Sequence, residues 1–146
     1  MSRFLTRPNL KRLDATDAAG QPLFELRHDL IFELGPEDSK LCVVVPSGRI
    51  TNLATLPRSR FLRWCYRDIA AEDGRFISAP ILHDYLCNET FVGNPDVSGF
   101  DRFEAAAFFR AGLRAMGAPR WQSFTAYWAV RANDLWVWLR GKIDAA

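Results

Sequence analysis

The sequence predicts an α+β fold: an N-terminal β-hairpin or small antiparallel sheet packed by three to four C-terminal helices. Three observations carry this. From Phe24 to Leu34 the residues alternate, with Phe24, Leu26, His28, Leu30, Phe32 and Leu34 on one face. Glu25, Arg27, Asp29 and Glu33 fall on the other, and only Ile31 is out of place. Beyond residue 100 the apolar period lengthens to three and four, the spacing of a helix with one buried stripe. The chain is 49% hydrophobic and 25% charged over 146 residues, which suits one ordinary domain with a real core.

Residues 1–21 read as an N-terminal arm, 22–57 as the β part with its loop, and 58–141 as the helical part. After the alternating strand, Gly35-Pro36-Glu37-Asp38-Ser39 makes a turn. Leu41-Cys42-Val43-Val44-Val45 is a β-branched run that pairs back on the first strand as a hairpin. Pro46-Ser47-Gly48 turns again, Arg49-Ile50-Thr51 is a short extended piece, and an irregular loop runs to Pro57. A short helix is expected over Ser59–Ile69. A second begins near Ser78, an N-cap residue with Pro80 in the first turn, and ends near Asn88.

Gly93, Asn94, Pro95 and Gly99 mark 89–99 as a loop. Asp101 and Glu104 have capping-box spacing and open a third helix. Its apolar stripe is Ala105, Phe108, Phe109, Gly112, Leu113 and Met116, and Gly117 and Pro119 end it. The last helix runs from about Pro119 to Leu139 and stops at Gly141. No internal repeat or low-complexity segment interrupts this order.

The formal net charge of +2 does not argue for nucleic acid, although sixteen of the nineteen basic residues are arginine. Arg58, Arg60, Arg63 and Arg67 interleave with Phe61, Trp64 and Tyr66, a pattern that suits phosphate contact and base stacking. At this net charge, an amphipathic helix with solvated arginines is the favoured reading. Cys42, Cys65 and Cys87 lack CxxC spacing and are expected as reduced, mostly buried thiols. No apolar run approaches a signal peptide or a membrane span, so the product is expected to be made in the cytoplasm. No P-loop, GxGxxG or nucleophile elbow is present.

Two segments carry a family resemblance. One is Val45-Pro46-Ser47-Gly48-Arg49-Ile50-Thr51-Asn52-Leu53-Ala54-Thr55-Leu56-Pro57-Arg58. The other is Ala79-Pro80-Ile81-Leu82-His83-Asp84-Tyr85-Leu86. In order and spacing, from about Leu23 to Leu139, the chain resembles the phage and prophage family known as domain of unknown function 1353. That family's loop pattern has an aspartate where this chain has Asn52 and a serine where it has Thr55. A later helix carries an aspartate where this chain has Ala106. His83 and Asp84 match. The resemblance implies a phage context, near structural or lysis genes, rather than a reaction.

His83 and Asp84 are the sharpest candidates for chemistry, as base or ligand and as its orienting carboxylate. The bland alternative is a satisfied interior histidine, with Asp84 bonding the backbone of the Thr51–Pro57 loop. His28 sits on the apolar face of the first strand and would be buried there. With His83 and Asp84 it makes a weak metal candidate. Thr51, Asn52, Thr55, Pro57, Arg58 and Tyr85 belong to the motif regions, as a binding site or a rigid lock.

On the last helix Trp121, Phe124, Trp128, Leu135 and Trp138 form a broad stripe, read first as core, with Tyr127 and Trp136 off it. Surplus aromatics mark interfaces, so Trp128, Trp136 and Trp138 are interface candidates.

The expected function is protein–protein binding by a phage accessory protein of the tail or neck. Its partners would be phage structural proteins or a second copy, and no cofactor is implied. It would be made in the host cytoplasm and could end in the virion. The rival is a metal-assisted hydrolase, cell-wall directed, centred on His83 and Asp84.

Overall fold

A computed structural model describes residues 1–18, 20–36, 42–53, 75–87 and 102–144. Among the described residues, six strands precede three helices. The strands are β1 (Arg3–Phe4), β2 (Leu10–Thr16), β3 (Pro22–Leu26), β4 (Leu30–Glu33), β5 (Cys42–Val45) and β6 (Ile50–Thr51). The helices are α1 (Ser78–Cys87), α2 (Arg102–Ala115) and α3 (Arg120–Asp144). The strands form two antiparallel three-stranded sheets, ordered β1-β4-β5 and β2-β3-β6. This is the α+β class the sequence predicts, with strands first and helices after.

The long alternating segment is not one strand. It breaks at Arg27–Asp29, where all three residues are exposed, and the chain passes from one sheet to the other. Hydrogen bonds hold the break. Asp29 Oδ1 accepts from the Ser47 amide at 2.8 Å, and the Asp29 carbonyl accepts from the Thr6 hydroxyl at 2.8 Å. The Gly48 amide donates to the Leu26 carbonyl at 2.6 Å, with Gly48 at φ 82°, a backbone that favours glycine. Phe24, Leu26, Leu30 and Phe32 still all face the core, so the apolar half of the alternation survives the bend.

The expected hairpin forms between β4 and β5, with Leu30 opposite Val45 and Phe32 opposite Val43. Residues 1–21, expected as an arm, instead supply two strands. β1 closes the edge of β4, where Arg3 Nε meets Glu33 Oε2 at 2.8 Å and the Phe4 and Phe32 rings lie 4.7 Å apart. Glu33 is buried rather than solvated, and this ion pair compensates its carboxylate. β2 is almost wholly exposed and pairs through its backbone with β3.

The core has two parts. Phe24, Leu26, Leu30, Phe32, Val43 and Val45 pack against Ile81, Leu82, Tyr85, Leu86 and Phe108. On the far side of α2, Phe109 and Leu113 pack with Phe76, Ala79, Ala126 and Val130. Between α1 and α2, a Cβ placed on Gly112 would lie 3.2 Å from Ala79 Cβ and 3.3 Å from the Phe4 ring, so the missing side chain lets these elements approach. Gly117 follows α2 at φ 85°, the left-handed residue that ends the helix. α3 passes the expected stop at Gly141 and runs to Asp144. The expected helix over Ser59–Ile69 and the loop over 89–99 lie outside the described residues.

Candidate functional site

Two regions hold the residues singled out in the sequence. The first is where the two motifs meet. β6 and the start of its loop lie beside α1, and the Thr51 hydroxyl donates to Asp84 Oδ2 at 2.5 Å. The Leu53 amide donates to Thr51 Oγ1 at 3.1 Å, and Leu53 has φ 55°, unusual for a leucine. This turn drives the Leu53 side chain into the core. Asp84 therefore holds the start of the loop to the helix through the Thr51 side chain.

Asn52 Nδ2 donates to Asp17 Oδ2 at 2.9 Å, and Asp17 Oδ1 accepts from the Gln21 amide at 2.8 Å. An amide at position 52 suits this neighbour, because a carboxylate there would face another carboxylate. Arg49 lies over the Tyr85 ring at 5.2 Å. The cleft between Arg49, Thr51, Asp84 and Tyr85 has a cavity volume of about 10 Å³, room for about one water.

His83 and Asp84 do not converge. His83 is buried, its ring centroid is 5.5 Å from that of Phe109, and Cys87 Sγ lies 3.3 Å from His83 Nε2 one turn on. Ala106, where the resemblance implied an aspartate, is fully buried in the core beside α3.

His28 is exposed in the β3–β4 bend, not on an apolar face, because the strand ends at Leu26. Among the described residues no group of three or more His, Cys, Asp or Glu is placed to hold a metal ion. Cys42 is exposed and Cys87 half-buried, against the expectation of buried thiols. Thr55, Pro57, Arg58, Cys65 and the arginines of 58–67 lie outside the described residues.

The second region is the outer face of α3. Trp121, Trp128, Trp136 and Trp138 are 60%, 52%, 61% and 50% exposed, and Phe124, Leu135 and Leu139 are exposed with them. The stripe read first as core therefore faces outward. The side of α3 turned to α2 carries Gln122, Ser123, Ala126, Val130 and Asp134, which are buried. The interface candidates Trp128, Trp136 and Trp138 all belong to the outward face.

Part of this face is ordered by its own contacts. The Trp128 ring packs edge-on to Phe124 at 6.2 Å and to Tyr127 at 5.4 Å. Arg110 lies over both Phe124 and Tyr127, and Arg131 Nη1 donates to the Tyr127 hydroxyl at 3.0 Å. Beside Trp121 and Phe124, an open cleft of about 510 Å³ is lined by Arg110, Arg114, Arg120 and Ser123. Periodicity alone found the stripe but could not say which way it faced.

The family model described as "Protein of unknown function (DUF1353)" matches residues 24–130. The chain belongs to this family. The matched range holds both motif segments of this DUF1353 chain, together with Trp121, Phe124 and Trp128. Leu135, Trp136, Trp138 and Leu139 lie beyond it. No curated protein and no solved structure matches the chain. No described helix is long and apolar enough to cross a membrane.

Proposed function

We propose that this DUF1353 chain acts by protein–protein binding, as a phage or prophage accessory protein in the assembly or structure of the virion tail or neck. It would be made in the bacterial host cytoplasm and carried into the particle. The observation that supports this most is α3. Seven large apolar side chains on one helix are exposed, while the helix buries small and polar residues. Ordinary surfaces expose single apolar residues, and contiguous apolar patches above about 300–600 Å² mark interaction sites. Rigid aromatic anchors beside arginine are the usual composition of interface hot spots.

The hydrolase reading has less support. Asp84 is engaged with Thr51, His83 lies against Phe109 and Cys87, and among the described residues the cleft beside Asp84 holds about 10 Å³. The test uses the chain as bait against phage tail and neck proteins. Wild type retains one of them, and Trp136→Ser with Trp138→Ser releases it. Retention that is unchanged by these substitutions, or absent with every such protein, would remove the reading.

A further inference from the structure

We infer that the outer face of α3 pairs with the same face of a second copy of this chain, antiparallel, about a two-fold axis beside residue 130. The inference rests on the reading of α3 as a binding surface and names its occupant.

The spacing of the face is that of a helix-pairing seam. Trp121, Phe124, Trp128, Ala132, Leu135 and Leu139 follow one another at steps of three and four. Such a stripe runs along one side of a helix and suits a second helix laid beside it. α3 has 25 residues, so the seam is long enough to span about five turns of helix.

The area is sufficient. At about 150–250 Å² for a whole large side chain, the exposed fractions on α3 leave roughly 500–900 Å² of apolar surface per chain. One partner in a standard-size interface contributes about 800 Å². A second copy brings an equal face, so pairing covers both at once. A two-fold interface must be self-complementary, with residue i meeting j and j meeting i.

The antiparallel register satisfies that condition. About residue 130, Trp128 faces Ala132 of the other copy, and Ala132 faces Trp128. Both are exposed, and one is large where the other is small. Trp121 meets Leu139 at each end, and Phe124 meets Leu135 and Trp136. A parallel in-register pair would instead set Trp128 on Trp128 and Arg131 on Arg131, bulk on bulk and charge on like charge. The contacts of Trp128 with Phe124 and Tyr127 hold the central indole in place before docking, which lowers the entropy cost of association.

The full chain is tested by sedimentation at micromolar concentration, beside far-ultraviolet circular dichroism. The expected species has twice the 16.6 kDa chain mass. Trp128→Ala shifts it toward monomer, with a dimer constant at least about 30-fold weaker. Ala132→Trp alone does the same by overfilling the seam. The double variant Trp128→Ala with Ala132→Trp exchanges the two partners and restores the dimer. Circular dichroism equal to wild type keeps these shifts separate from unfolding.

A monomeric wild type overturns the inference, as does a dimer indifferent to Trp128 or one that the double variant fails to restore. If the monomer floats with phosphatidylglycerol vesicles in a Trp128-dependent way, the face belongs to a lipid surface, and both this inference and the binding reading fall. If the monomer instead retains a tail or neck protein through Trp136 and Trp138, only the second copy is wrong.

Discussion

α1 and α3 use their apolar residues in opposite ways. α1 is ten residues long and buries eight of them, including His83. Its one charged residue, Asp84, is engaged with Thr51 across the motif junction. α3 is more than twice as long, yet among its described residues those it buries are Gln122, Ser123, Ala126, Val130 and Asp134, and its indoles face outward. The helix that holds His83 and Asp84 is thus an anchor of the core. The helix that buries Gln122, Ser123 and Asp134 leaves its indoles on the surface. Residues that look catalytic can be packed into a core, and residues that look like core can lie exposed on a helix.

Three substitutions sharpen or break this contrast. Leu82 is fully buried in α1, and Leu82→Ala should lower stability by about 2–5 kcal/mol in urea unfolding. A loss of less than about 1 kcal/mol would mean that α1 is not the anchor. Thr51→Val removes the hydroxyl that serves both Asp84 and the Leu53 amide, and should lower stability by about 1–3 kcal/mol. Unchanged unfolding would show that the junction is not held this way and would return Asp84 to the candidates for chemistry. Trp136→Ser should change the unfolding of dilute protein by no more than about 0.5 kcal/mol, since this side chain is 61% exposed. A loss as large as that for Leu82→Ala would place Trp136 in a core and end the contrast.

Much of the candidate site was legible before the structure. The order of the motifs brought the loop after Thr51 to the helix with Asp84, and the loop lock was one of the two readings of that pair. The partner atom was not legible, since both the Thr51 hydroxyl and a loop amide can donate to a carboxylate. The partner of Asn52 was not legible, because Asp17 lies 35 residues earlier and no local pattern links them. His28 was misplaced because alternation runs through the bend without a break, and the bend is set by Asp29, Ser47 and Thr6.

By itself, the sequence determined the kinds of elements and their order. Alternation marked Phe24 to Phe32 as strand, the β-branched run marked β5, and Gly117 marked the end of α2. These are local effects, set by backbone sterics and by which residues share a face. Only the tertiary structure decided that residues 3–4 and 10–16 become strands, that the long strand splits between two sheets, and that α3 turns its aromatics outward. Strand pairing at an edge rests on backbone hydrogen bonds, which leave little side-chain pattern to read. Periodicity fixes which residues lie together on a helix, but the side turned inward depends on what can pack there. Against α2 that is the small side of α3, where Ala126 and Val130 meet Phe109 and Leu113.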